Sequence, residues 1–97
     1  MSDSKTYHGI TPTIFECVKE SSEKEHDTKY DPADGNSGTA TTKTAVGNVV
    51  MDFSYDPDSG DLSYTIAKKP FVAPASAIWH GIGSTIDGCR SKHYAAT

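Results

Sequence analysis

Leucine is nearly missing from this chain, with Leu62 alone among 97 residues. Ile, Val, Leu and Phe together supply fifteen residues, fewer than the roughly 20% below which disorder becomes the competing reading. The other half of a disorder signature, high net charge, is also absent, because 13 acids stand against 9 bases for a net −4. A small core is therefore expected, helped by five Tyr, one Trp and nine Ala. No apolar run approaches the ~18 residues that cross a bilayer as a helix. The length suits a single small domain over 1–97.

Cysteine is scarce too. Cys17 and Cys89 are too few for a disulfide framework and lack CxxC spacing, so two reduced, mostly buried thiols are expected. The first residues, Met1-Ser2-Asp3-Ser4-Lys5, lack the charged-then-apolar pattern of a signal peptide, which makes a cytoplasmic protein the default. Basic clusters are missing, with Lys68-Lys69 the only adjacent pair. Nucleic acid, whose binding needs grouped Lys and Arg, is thereby disfavoured. Glu16 to Asp34 holds seven acids and three lysines and reads as a solvated segment, with an acidic loop over 21–38. Residues 1–10 and 93–97 read as flexible termini.

What is present speaks first of β-structure. Val49, Met51, Phe53 and Tyr55 alternate with polar residues, and after Asp56-Pro57-Asp58-Ser59-Gly60-Asp61 the alternation resumes at Leu62, Tyr64 and Ile66. Pro57 suits the first corner of a turn, and Gly60 the positive φ that closes it. Pairing Asp56 with Asp61 sets Tyr55 against Leu62, Phe53 against Tyr64 and Met51 against Ile66, with every apolar residue on one side. Upstream, Gly47-Asn48 reads as a two-residue turn, pairing Thr44 with Met51 and Thr42 with Phe53. The rival is one long strand from Thr39 to Tyr55 with a bulge at Gly47.

Thr11 to Glu20 is ambiguous. Thr13, Ile14, Phe15, Cys17 and Val18 are β-formers, whereas Thr13-x-x-Glu16 is a capping box and Lys19 to Glu25 contains good helix formers. A helix here has only one apolar turn to bury, so a strand is the reading taken. Ala75 to Lys92 reads as a C-terminal helix capped by Ser76. Ile78, Ile82, Ile86 and Cys89 form its apolar stripe with Trp79 on the flank, and Ala77, Gly81, Ser84 and Gly88 form a stripe of small residues. Glycines that cost a helix ~1 kcal/mol each imply close packing along that stripe, so Gly81→Ala is expected to destabilise.

The chemistry-bearing motifs are weak. Tyr30-Asp31-Pro32-Ala33-Asp34-Gly35 and Tyr55-Asp56-Pro57-Asp58-Ser59-Gly60 share Tyr-Asp-Pro-x-x-Gly, two uses of one turn solution; if the first also closes a hairpin, part of the acidic region is a strand. Asp56, Asp58 and Asp61 miss the calcium-loop spacing, since Gly60 precedes the third Asp and Ala67 stands where the bidentate Glu belongs. Gly81 to Gly88 is neither GxGxxG nor a Walker loop. His80 turns outward on the helix, and the remaining histidines give no metal spacing. No catalytic residue, metal ligand or cofactor is assigned, and an enzyme is not the favoured reading.

The expected fold is α+β: an antiparallel meander of three to four strands with one C-terminal helix packed on a face. The expected function is a non-enzymatic binding or protein-interaction protein, homodimeric in one version, with a protein partner or a second copy covering open strand edges. The alternatives are a carrier of a small apolar ligand between helix and sheet, or a small enzyme or enzyme subunit using His80 and nearby acids. Trp79, Gly81, Ser84, Phe53 and Tyr64 are the candidate ligand or interface residues. No membrane or nucleic-acid partner is expected.

Overall fold

The computed structural model describes residues 4–32, 34–72 and 74–94. The fold is α+β, with five antiparallel strands and two helices. In chain order these are β1 (Ser4–Tyr7), α1 (Pro12–His26), β2 (Thr28–Asp31), β3 (Ser37–Thr44), β4 (Gly47–Asp56), β5 (Asp61–Lys68) and α2 (Ala75–Tyr94). The sheet order is β1-β5-β4-β3-β2, so the hairpins follow one another from β2 to β5 and β1 returns to close the far side.

The β4–β5 hairpin has the register that alternation predicts: Met51 faces Ile66, Phe53 faces Tyr64, Tyr55 faces Leu62 and Asp56 faces Asp61. Its turn is closed by the Gly60 N–H donating to the Asp56 carbonyl at 2.8 Å, with Gly60 at φ +77. The Asp58 N–H donates to Asp56 Oδ1 at 3.0 Å, an Asx-type turn that uses the carboxylate structurally. The first Tyr-Asp-Pro segment also ends a hairpin strand, since Asp31 pairs with Thr39.

Several expectations are corrected. Residues 12–26 form a helix, not a strand. Thr11 caps it, accepting from the Ile14 N–H at 3.2 Å, with Pro12 in the first turn and Asp27 ending it in the left-handed region. Its one apolar turn suffices, because Ile14, Phe15 and Val18 are all buried on the sheet, and tertiary burial outweighs β-propensity. The acidic stretch 21–38 is not a loop; it holds the end of α1, β2 and the start of β3. Of the termini expected to be flexible, Ser4–Tyr7 is a strand paired with β5 and α2 runs to Tyr94, while 1–3 and 95–97 lie outside the described residues.

The turn joining β3 to β4 is Ala45-Val46, not Gly47-Asn48. Thr44 pairs with Gly47 and Thr42 with Val49, a slip of four residues that keeps every side chain on its expected face because the strand period is two. The Thr44 hydroxyl secures this turn, accepting from the Val46 N–H at 3.3 Å and donating to the Gly47 carbonyl.

Both helices cover one face of the sheet. The cross-strand row Tyr30, Ala40, Met51 and Ile66 points inward, while the row Asp31, Thr39, Asp52, Thr65 and Ser4 lines the opposite, polar face. The Phe15 ring lies 4.5 Å from Tyr55 and 6.1 Å from Phe53, and Phe53 meets Tyr30 edge-on at 5.1 Å. The Tyr55 hydroxyl donates to the Ile10 carbonyl at 2.7 Å, fixing the entry to α1.

The thiols are not free. Cys17 of α1 and Cys89 of α2 form a disulfide with a Cα–Cα distance of 5.8 Å. Cys17 sits one residue before Val18 and Cys89 one turn beyond Ile86, so the helix–helix contact that buries both apolar residues brings the sulfurs together. The small-residue stripe of α2 is not a packing seam either: an added Cβ at Gly81 or Gly88 meets nothing within 4 Å, and Ala77 and Ser84 are exposed.

Candidate functional site

The core is well filled where α1 meets β4 and β5 and hollow where α2 begins. A cavity of about 260 Å³ lies between both helices and β2 to β5. Ile86 and Cys89, in the second half of α2, are buried and stapled to α1. Ile78 and Ile82, in the first half, are only partly buried because they face the hollow. Gly81 and Ala77 stand on the same side of α2 and also line it. A helix wall of glycine and alanine leaves space that larger side chains would fill, so Ala77 and Gly81 keep the hollow open, while Ser84 and Gly88 are exposed outside it.

The opposite wall is the sheet. Val49, Met51 and Tyr64 supply apolar surface, and Thr28 and Thr42 face each other with their hydroxyls 2.6 Å apart. From α1 come Val18, Ser22 and His26. Thr85 donates its hydroxyl hydrogen to the Gly81 carbonyl at 3.0 Å. Its oxygen is thus left to accept from His26 Nε2 at 3.3 Å, a contact that ties the end of α1 to the middle of α2.

The polar floor is made of hydroxyls. Tyr30 and Tyr64 are hydrogen-bonded at 2.7 Å in a buried setting, and Ser22 also lines the cavity. Burial pushes the Tyr30 phenol above its ordinary value, partly offset by its bond to Tyr64. Burial, reinforced by Tyr30, holds Tyr64 well above its own. Both are neutral phenols at neutral pH. Among the described residues that line the cavity, none is Asp, Glu, Lys or Arg.

No known protein family, curated protein or solved structure matches this chain.

Of the residues singled out from the sequence, Tyr64 and Gly81 line the cavity. Phe53 is buried in the core against Phe15 and Tyr30. Trp79 packs partly buried against that core, and Ser84 is exposed on α2. The structure does not bring these five into one site. His80 is exposed, and His26 is the histidine on the cavity wall. His26, Ser22, Tyr30 and Thr85 were not foreseen. Three of them fall in the stretch read as an acidic loop; periodicity around Val18 and Ser22, one helical turn apart, was the signal available for an inward face of α1.

Among the described residues, no three His, Cys, Asp or Glu side chains converge as a metal site, and no helix is long and apolar enough to cross a membrane. Among the described residues, the large hydrophobic side chains left exposed are Val46, Phe71 and Val72. They sit on two neighbouring connections, since an added Cβ on Gly47 would lie 3.2 Å from Pro70 Cγ. Thr44, the last residue of β3, and Pro74, just before α2, line the cavity.

Proposed function

We propose that this chain is a non-enzymatic binding protein that holds a small, mainly apolar molecule between α2, α1 and the sheet. The observation that carries this reading is the cavity of about 260 Å³. An engineered apolar cavity of about 150 Å³ binds benzene, and drug-sized pockets begin at about 300 Å³, so the space suits a ligand of about two rings. The space is a half-open pocket rimmed by the exposed Thr44, Pro74 and Ala77, so a bound molecule gains apolar contact and releases water from the buried floor.

Naphthalene is a suitable first probe, followed by heteronuclear NMR. The expected result is saturable binding at one site, with shifts confined to Val18, Met51, Ile78 and Ile82. Gly81→Leu places a side chain in the hollow and should abolish those shifts while leaving the far-UV circular dichroism intact. Absent or non-saturable shifts, or shifts indifferent to Gly81→Leu, would overturn the reading.

A second reading, binding of a protein partner or a second copy, is favoured by the exposed Val46, Phe71 and Val72 and by the outer positions of β1 and β2 in the sheet. Sedimentation of wild type against Phe71→Ser/Val72→Ser tests the homodimer: a dimer dispersed by the double substitution supports it, and a monomer at high concentration removes it. The disulfide also bears on compartment. An oxidising environment is the setting we propose in place of a cytoplasmic one, because such bridges persist where thiols are not kept reduced.

A further inference from the structure

We infer that the ligand is an uncharged molecule of about two rings bearing a single hydroxyl or carbonyl oxygen, which seats on the Tyr64–Tyr30 hydroxyl pair. This deepens the cavity reading and rests on it.

Charge is excluded by the walls. Among the described lining residues no carboxylate, ammonium or guanidinium is present, and the imidazole of His26 is exposed with Nε2 engaged by Thr85, so a ligand ion would leave water with no buried charge to pair it. The cavity wall alone would accept a pure hydrocarbon, but the floor holds the hydroxyls of Tyr64 and Tyr30, and both residues line the space. Tyr30 and Tyr64 form a row of two hydroxyls with one internal hydrogen bond, at 2.7 Å, and so have one hydrogen to spare. Whichever way the row is oriented, it offers a donor at one end and an acceptor at the other. Burial keeps both phenols protonated, so the row stays a neutral partner. A ligand hydroxyl satisfies either orientation, and a ligand carbonyl satisfies the one in which Tyr64 donates. A hydrocarbon satisfies neither and must strip water from this end of the cavity without replacing its bonds.

Three probes with the same ring system separate the possibilities: naphthalene, 2-naphthol and 2-naphthoate, titrated into wild type, Tyr64→Phe and Tyr30→Phe. In wild type, 2-naphthol should bind at least about tenfold more tightly than 2-naphthoate. Tyr64→Phe should weaken 2-naphthol by about three- to tenfold while changing naphthalene little, and Tyr30→Phe should act in the same direction. The readout is the ratio of the two affinities, because mere loosening of the fold moves both together. Parallel loss of 2-naphthol and naphthalene, or equal binding of 2-naphthoate and 2-naphthol, would overturn the ligand class while leaving the cavity reading intact. Failure of all three probes to bind wild type would overturn the cavity reading itself.

Discussion

Removing the Cys17–Cys89 bridge is the perturbation with the largest calculable effect. The two residues are 72 apart in sequence, and the chain-entropy treatment of a cross-link of that span gives about 4 kcal/mol at room temperature. A domain of this size has roughly 5–15 kcal/mol of stability in all, so the bridge is a large share of it. For a chain of about this length each kcal/mol moves the melting temperature by about 4–8 °C, so the expected drop is about 16–32 °C. The consequence should be concentrated in α2, whose main neighbour is α1 and whose first half spans a cavity. The assay is urea unfolding followed by Trp79 fluorescence, comparing the oxidised protein with Cys17→Ala/Cys89→Ala, with intact mass after denaturing alkylation to count thiols. Superimposable unfolding curves would refute the energetic argument. Alkylation of both sulfurs in unreduced protein would refute the bridge itself and restore the pair of free thiols expected from the sequence.

Gly81→Ala should stabilise by up to ~1 kcal/mol, because the methyl enters open space and Ala is the better helix former; a lower midpoint in urea would mean that the wall of the cavity is tighter than the geometry indicates. Gly60→Ala should cost about 1–2 kcal/mol, since φ is +77 and the new Cβ would lie 3.3 Å from the Ile10 backbone nitrogen; a neutral result in the same assay contradicts that strain. Phe15→Ala should cost about 3–5 kcal/mol by emptying the space against Tyr55 and Phe53, and a loss under 1 kcal/mol would show that α1 contributes little to the core. The folded-state pKa of Tyr64, raised above the ordinary value near 10 by burial and by Tyr30, favours the protonated phenol. Its contribution to stability is complete below about pH 10 and declines as pH rises toward the folded-state value; tyrosinate absorbance should rise together with loss of structure, and titration of every tyrosine in the intact fold would contradict it.

The sequence by itself determined the β4–β5 hairpin down to its register, because alternation over Val49–Tyr55 and Leu62–Ile66 and a turn needing Gly60 agree on one pairing. It also determined α2 and the direction of its apolar stripe, since Ile78, Ile82, Ile86 and Cys89 repeat at helical spacing over about three turns. Tertiary structure decided the rest. Thr13 to Val18 is locally as good a strand as a helix, and only the chance to bury Ile14, Phe15 and Val18 on the sheet made it α1. The β3–β4 register had two solutions with the same faces, separated by an even slip that periodicity cannot detect. The bridge joins residues at opposite ends of the chain, and two cysteines carry no spacing signal until the helices are packed. The cavity was the least legible feature. Glycines in a helix signify small size, and whether small size means a close contact or an empty space depends on what stands opposite. Here the disulfide and Ile86 hold the second half of α2 close to α1, the first half spans the sheet, and Gly81 faces open volume.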